Sequence, residues 1–566
     1  MLKELIDVAG GRKPADYLLK NCQLIDVING EIVPTAIAVY KDKIAGIGEH
    51  PAKEIIDLNG QYVCPAFIDS HIHIESSLLN PVEFANEAAV HGTGAVIADP
   101  HEIANVLGIA GIKYMLEVTE NLPIDFYFTL PSCVPSCKLE NSGANLEAKQ
   151  LAPLLKKERI VGLAEMMNYP GVIRGNQEII KKIEMIRSKV IDGHAPGLKG
   201  KDLQAYIAAG ILNDHESTTL EEAREKLKLG MYIKIREGSS EKNLEILMPM
   251  VNIKNNHFFS FCSDDLMAED LKKGHINLLV KKAVKMGMDP VVAVRIAALN
   301  PALHYNLKKI GALVPGYFAN FIIFEDLHEF KIRCVYRRGK QIVHKKELLH
   351  PHSLKKKSVV KKTFNVKPFK TEVFKIKALS TRARVIEVIP GQVITGSRLD
   401  VVKIKDGYVE ANPDKDILKI AVVERHKGLG HISVGLVSGF GLKRGAIAQS
   451  VAHDSHNIIC VGVQPEDMAS AVRQVSKLKG GIVAVLGGFV LAQLPLAIAG
   501  LMSESKIDEV LTQLERLEHV AAELGSKIEE PFSTLSFLAL PVIPKLKITD
   551  RGLVDVDSFK LVKLFE

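Results

Sequence analysis

The chain reads as an α/β protein. The expected architecture is a (β/α)8 TIM barrel with a composite small β-sandwich domain and an additional α+β C-terminal domain. Three observations predict this. Between residues 67 and 310, eight short apolar runs alternate with helix-like stretches, and each run gives way to a polar residue. On either side, residues 1–66 and 311–350 carry short strand patterns punctuated by turn residues. The last two hundred or so positions, 361–566, mix strands, glycines and two helical stretches. These ranges are the expected units: the N-terminal part of the β domain, the barrel, the C-terminal part of the β domain, and the C-terminal α+β domain.

In order along the chain, residues 16–33 give two apolar runs about the turn Asn29-Gly30. Residues 37–46 form a second hairpin turned at Lys41-Asp42-Lys43, and 55–58 and 62–64 flank a turn at Asn59-Gly60. The eight barrel runs follow. They lead to His71, Asp99, Pro131, Glu165, Asp192, Asn213, Arg236 and Ser263, with helical periodicity between several of them, as over 220–229 and 276–286. In such a barrel the residues just past each strand line the catalytic face. Residues 311–340 return to strands and are expected to complete the N-terminal sheet. The basic stretch over 344–370, with Lys355, Lys356, Lys357, Lys361 and Lys362, reads as a solvated linker. Helices are expected over 465–479 and 505–524.

The 566 residues are 47% hydrophobic and 25% charged, which excludes a disordered chain, a collagen or a coiled coil as the whole answer. A net charge of +7 over this length does not imply a nucleic-acid partner. Seven scattered cysteines, an odd number without C-x-x-C, argue for a reducing cytoplasm rather than a disulfide scaffold. Cys133 and Cys137, spaced C-x-x-x-C, and Cys262 read as packing residues. The first twenty residues lack the apolar segment of a secretory signal, so a cytoplasmic location is expected. Residues 481–502 are uncharged and long enough to span a bilayer. Gln493, Pro495 and the glycines favour a buried strand and turn, so no membrane partner is expected.

The chemistry-bearing residues sit at the ends of the barrel runs. His71, His73 and Glu75 alternate, so on a strand they share one face and two imidazoles can grip one metal ion. Asp99, His101 and Glu102, then Glu165, His194, His215-Glu216 and Asp264-Asp265, follow later runs. Imidazole and carboxylate ligands favour zinc, manganese or iron over calcium, and such a set suits a two-metal hydrolytic centre. The glycines over 439–445 are spaced GxGxxxG and do not match the dinucleotide fingerprint. His453, Asp454, Ser455 and His456 are adjacent and therefore no triad. They are expected to cap the barrel mouth or support a subunit contact, which would also let His453 or His456 close over a substrate.

Taken as longer motifs, these residues resemble a family. PAFIDSHIHIES resembles the first-strand signature of the amidohydrolase superfamily. DPHEIANV, GLAEMMNYPGV, IDGHAPGL, NDHES and SDD resemble its adenine deaminase branch, and the likeness runs on through VAHDSHNI and GGFVLAQLPL. The resemblance implies hydrolytic deamination of adenine to hypoxanthine and ammonia, in purine salvage, by a metal-activated hydroxide. It implies two divalent metal ions, manganese or iron with zinc as the alternative, held by His71, His73, Glu165, His194, His215 and Asp264. Glu165 stands where many relatives use a carboxylated lysine, and Asp264 doubles as a proton shuttle. Glu102 is a catalytic candidate, paired with His101 in base recognition or an extra metal contact. Either Glu102 or a site histidine would protonate the purine ring. Glu75 and Asp265 are expected beside the ligands, Glu75 orienting a ligand histidine. A homo-oligomer, a dimer, is the expected assembly. Two rival readings stand: another amidohydrolase acting on a cyclic amide or N-acyl group, and a non-enzymatic barrel scaffold. The cysteine-held zinc type of deaminase is excluded, because no H-x-E and P-C-x-x-C pair occurs. One departure from the superfamily pattern, Ala319-Asn320 for Ala-Asp, bears on packing in the β domain.

Overall fold

The structure, a computed structural model, describes residues 2–354 and 363–566. The lysines at 355–357, 361 and 362 lie outside the described residues.

The first module is built around one long strand. β1 (Ala15–Asp26) pairs antiparallel with β2 (Glu31–Tyr40), which turns through Lys41 and Asp42 into β3 (Lys43–Ile47). The two hairpin turns fall where expected. The third turn, at Asn59-Gly60, is also present, but it does not close a hairpin: β4 (Ala52–Asp57) and β5 (Tyr62–Pro65) do not pair with each other, and each lies parallel to β1. The cause is an irregularity in β1 between Leu19 and Cys22, where Asn21 takes a left-handed conformation (φ 54). Residues before the bulge bond β4, and Gln23 and Leu24 beyond it bond β5. The Asn59-Gly60 turn therefore carries the chain along one edge of β1 instead of reversing it.

The eight runs that follow are all strands: β6 (Phe67–Ile72), β7 (Thr93–Ala98), β8 (Asp125–Leu130), β9 (Ile160–Met166), β10 (Val190–Gly193), β11 (Asn213–Asp214), β12 (Tyr232–Arg236) and β13 (Phe259–Cys262). β6 to β10 form one parallel sheet in sequential order, and β11 to β13 form a second. The two meet where β13 packs on β6 and β10 packs on β11. At the first junction Ile72 and Asp264 form a parallel bridge. Most of these strands are buried throughout, as expected of parallel strands covered by helices.

The chain then returns to the first sheet with β14 (Phe321–Phe324), β15 (Ile332–Arg337), β16 (Lys340–His344) and β17 (Glu347–Leu348). β14 pairs antiparallel with β5, so both segments share one nine-stranded sheet, eight strands of which run in order from β17 to β3 while β4 pairs with β1. Leu19, Ile37, Val39, Phe321 and Ile323 pack one face, and Val8, Leu18, Ala38 and Tyr40 pack another. Asn320, the departure noted above, accepts the Arg338 backbone N–H at 2.7 Å.

The C-terminal region centres on an eight-stranded sheet. Its middle strands include Leu418–Val423, Ile458–Gly462, Ala446–Gln449 and Gly481–Leu486. The helix Pro465–Leu478 covers one face through Met468, Val472 and Val475. The helix Ile507–Glu523 buries Val510, Leu514, Leu517 and Ala521, a spacing of three and four residues that makes a single apolar stripe. The uncharged stretch over 481–502 is a hairpin of Gly481–Leu486 and Phe489–Pro495, turned at Gly487-Gly488, where both glycines have positive φ. No helix among the described residues is long and apolar enough to cross a membrane. In the 439–445 loop, the Gly439 and Gly441 N–H groups both donate to the Asp416 carboxylate, so the amides that might hold a phosphate serve the protein's own side chain. All seven cysteines are free and buried. One continuous apolar cluster contains both strand-region residues such as Ile72 and Leu163 and C-terminal residues such as Ile420 and Leu496.

Candidate metal centre and active site

The polar residues past the parallel strands converge. Glu165, near the end of β9, lies at the centre. Its Oε1 is 3.3 Å from His73 Nε2 and 3.6 Å from His101 Nδ1; its Oε2 is 2.6 Å from His194 Nδ1 and 3.3 Å from His215 Nε2. His71 and His73 come from β6 and the residue after it. Their Nε2 atoms lie 3.4 and 3.1 Å from Asp264 Oδ1. The His71 and His215 rings stack at 4.3 Å. All seven residues are buried except His194, which is partly so.

The local chain explains the aim of each group. Asp69, on β6, accepts the backbone N–H groups of both His71 and Ser263, which ties the first strand end to the eighth. Asp264 N–H donates to the His71 carbonyl, and Asp264 has a φ of 57, a left-handed conformation that aspartate tolerates better than most residues. His73 Nδ1 donates to the Asp99 carbonyl at 3.2 Å, which aims Nε2 at Asp264 and Glu165.

Several of these atoms are buried without a hydrogen bond: both ring nitrogens of His71, both of His215, His101 Nδ1 and Asp99 Oδ2. A buried polar atom with no partner is costly unless something else meets it. Imidazole nitrogens and carboxylate oxygens grouped within 4.8 Å, as in His71–His73–Asp264, His71–Glu165–His215 and His73–Asp99–His101–Glu165, are a donor set that fits divalent cations.

Electrostatics keep the carboxylates ionised. Burial alone would push the Asp264 carboxyl up, but Arg236, with His71 and His73, outweighs it and holds it well below the usual carboxylate range. Arg236 Nη1 reaches Asp264 Oδ2 at 2.6 Å and also bonds Glu216, while Nη2 pairs with Glu241. Glu165 is likewise held low, its burial overcome by His194, His215 and His73.

The remaining candidates surround this centre. Asp265 accepts the Ser76 hydroxyl. Glu75 Oε1 accepts the Ile103 N–H at 3.2 Å, so its carboxylate secures the helix His101–Leu107 instead of a ligand imidazole, and burial pushes its carboxyl up to about 7. Glu102 is met from the C-terminal region: His453 Nδ1 lies 2.7 Å from Oε1, and His456 Nε2 bonds Oε2. The central cavity is lined by His73, Glu165, Asp264 and Arg236 on one side and by His453, Asp454, Phe537 and Leu540 on the other. Sequence reasoning passed over Arg236, whose position at the end of β12 was its one signal, and Phe537 and Leu540, which carried none.

The sequence that builds this site has counterparts in known proteins. A model of the amidohydrolase family matches residues 62–342, and a model of the adenine deaminase C-terminal domain matches residues 392–560. The adenine deaminase of Desulfatibacillum aliphaticivorans is 48% identical, over 100% of this chain and 99% of its own. The chain belongs to the adenine deaminase family. A second family member, adenine deaminase 2 of Carboxydothermus hydrogenoformans, is 47% identical over 99% of both chains. Among solved structures, a β-aspartyl dipeptidase of Fervidobacterium islandicum AW-1 is similar over 60% of this chain and 99% of its own, at 15% identity and a TM-score of 0.46. In this family member, then, residues past the parallel strands and residues of the VAHDSHNI segment line one cavity.

Proposed function

We propose that this protein hydrolyses adenine to hypoxanthine and ammonia, at the rim of a (β/α)8 barrel closed through the β6–β13 and β10–β11 contacts. The division at 1–66, 67–310, 311–350 and 361–566 belongs to the same reading. The observation that carries it is Glu165, set among four imidazoles beside buried nitrogens of His71 and His215 that lack hydrogen bonds. That two relatives similar end to end are named adenine deaminases favours adenine over a cyclic amide or N-acyl substrate, and an intact donor set disfavours a scaffold.

His71, His73, Glu165, His194, His215 and Asp264 would hold two divalent ions, manganese or iron with zinc as the alternative. When bound, such ions supply Lewis-acid activation of water near neutral pH. The chain's own residues manage the protons. Asp264 is ionised, with Oδ2 fixed by Arg236 and Oδ1 toward the imidazoles, so it accepts a proton from the attacking water and returns it to the leaving amine as general base and then acid. Arg236 keeps that carboxylate oriented. The cavity's far wall, with Phe537, Leu540 and Ile543, offers apolar surface to a flat heterocycle and limits bulk water. His101, Glu102, Glu75 and Asp265 shape the site around them.

The test is the conversion itself. Purified protein supplied with manganese should turn adenine into hypoxanthine, followed by the ultraviolet spectrum of the base. Protein that holds the metal and leaves adenine unchanged would overturn the reading.

A further inference from the structure

Addition of water at C6 of adenine requires a proton at the neighbouring ring nitrogen, N1, to take up the displaced electron pair. Glu102 is the obvious acid by position, yet both of its oxygens are engaged. Oε1 receives His453 Nδ1 at 2.7 Å and lies 3.4 Å from His101 Nε2, and Oε2 receives His456 Nε2. His456 is fixed in this role. The Ala452 backbone N–H, which can only donate, points at His456 Nδ1 at 3.2 Å, so the ring proton of a neutral His456 sits on Nε2 and faces Glu102. That proton argues against reading Glu102, His453 and His456 as a further metal site, since a cation would need the same lone pair.

His453 is different. Its Nδ1 is held by Glu102, its backbone N–H donates to the Ser536 carbonyl at 3.2 Å, and its ring stacks on Phe537 at 4.6 Å. The ring lines the central cavity, and Nε2 has no hydrogen-bond partner among the described residues. A carboxylate bonded to one imidazole nitrogen, with the other nitrogen facing a reacting group, is an arrangement that orients an imidazole and favours its protonated form.

We propose that His453, delivered from the C-terminal domain and oriented by Glu102, is the residue that protonates adenine at N1. This rests on the adenine reading above. The steps balance. The oxygen of water bonds to C6, one of its protons goes to Asp264, and N1 takes the Nε2 proton of His453. The bond from C6 to the exocyclic nitrogen then breaks with its electron pair on nitrogen, which takes the Asp264 proton and leaves as ammonia. The proton on the C6 oxygen returns to His453, leaving a C6 carbonyl and N1–H. Glu102 and His456 are positioning residues, and the C-terminal domain supplies part of the catalytic apparatus.

The test compares wild type with His453→Asn, whose amide can still donate to Glu102 but cannot give up a proton. The expected result is a fall in kcat on adenine of at least about 100-fold, the ordinary worth of general acid catalysis, with metal content unchanged. A second readout uses 1-deazaadenine, which has a C–H at position 1. Wild type should bind adenine about tenfold or more tightly than 1-deazaadenine, a ratio expected from one hydrogen bond, and His453→Asn should bring the ratio toward one. A kcat within threefold of wild type, or an unchanged ratio, would overturn the proposal. Should the variant not fold, the wild-type ratio decides, and a value near one overturns it. Wild type inactive on adenine would instead remove the underlying reading, an outcome distinct from an active wild type with an unaffected variant.

Discussion

The central cavity has two walls of opposite character. The floor, from the ends of the parallel strands, is crowded with charge: Glu165 among four imidazoles, and Asp264 clamped by Arg236. Several of its buried nitrogens and oxygens have no hydrogen bond. The roof joins apolar Phe537, Leu540 and Ile543 to the polar segment 453–456, in which His453 and His456 are both bonded to Glu102. The floor's donor set thus fits cations, and the roof offers apolar surface beside it. The floor is held by ionic contacts whose loss leaves buried charge, and the roof by packing and a few hydrogen bonds.

The contrast is sharpest at Asp264. Replacing Asp264 with Asn keeps the shape and removes the proton acceptor, so turnover of adenine should fall by about 10²–10⁴-fold. Near-wild-type turnover in metal-loaded protein would remove the shuttle. Arg236 tests whether the floor's charges depend on one another. Arg236→Met leaves Asp264, Glu216 and Glu241 facing one another without their cation, which should cost about 3–5 kcal/mol of stability, the range for breaking a buried pair. Denaturant unfolding within about 1 kcal/mol of wild type would show that the cluster is solvated or otherwise compensated.

The roof gives an effect of a different kind, spread over pH. Lys547 is fully buried, and its ammonium donates to the Phe537 carbonyl at 3.1 Å and the Val393 carbonyl at 2.7 Å. Burial pushes its pKa down to about 7. Between about 7 and the ordinary lysine value of about 10.4, the unfolded chain binds a proton that the folded one does not, so this group's contribution to stability rises with pH across that window. The stability of wild type relative to Lys547→Met should therefore climb between pH 7 and 10, by at most about 1.4 kcal/mol per pH unit. A flat or falling difference would mean that Lys547 remains charged.

The two walls also differ in how far the sequence reveals them. The floor follows a local rule: a residue of metal-ligand type just past an apolar run. That rule located His71, Glu165, His194, His215 and Asp264, which the structure brings to one centre, and the eight strands that carry them, even β11 with two residues. Arg236 obeys the same rule but does not ligate metals. Its meaning lies in Glu216, Glu241 and Asp264, which only the fold brings to it. The roof follows no local rule. Glu102 and His453 are 351 residues apart, and nothing in the surroundings of either announces the other. The Asn59-Gly60 turn shows a related limit: the sequence marks the turn, but the bulge at Asn21 that sets both flanking strands on β1 lies in a different segment.

Joint capture of two catalytic cations by the imidazoles and carboxylates past the parallel strands is open to direct test. Metal-free protein titrated with manganese, with adenine turnover and bound metal measured on the same samples, tests it most directly. Activity should rise from zero and level off at about two equivalents per chain, as a shared two-ion centre requires. Full turnover without metal, or a chain that binds none, would contradict it.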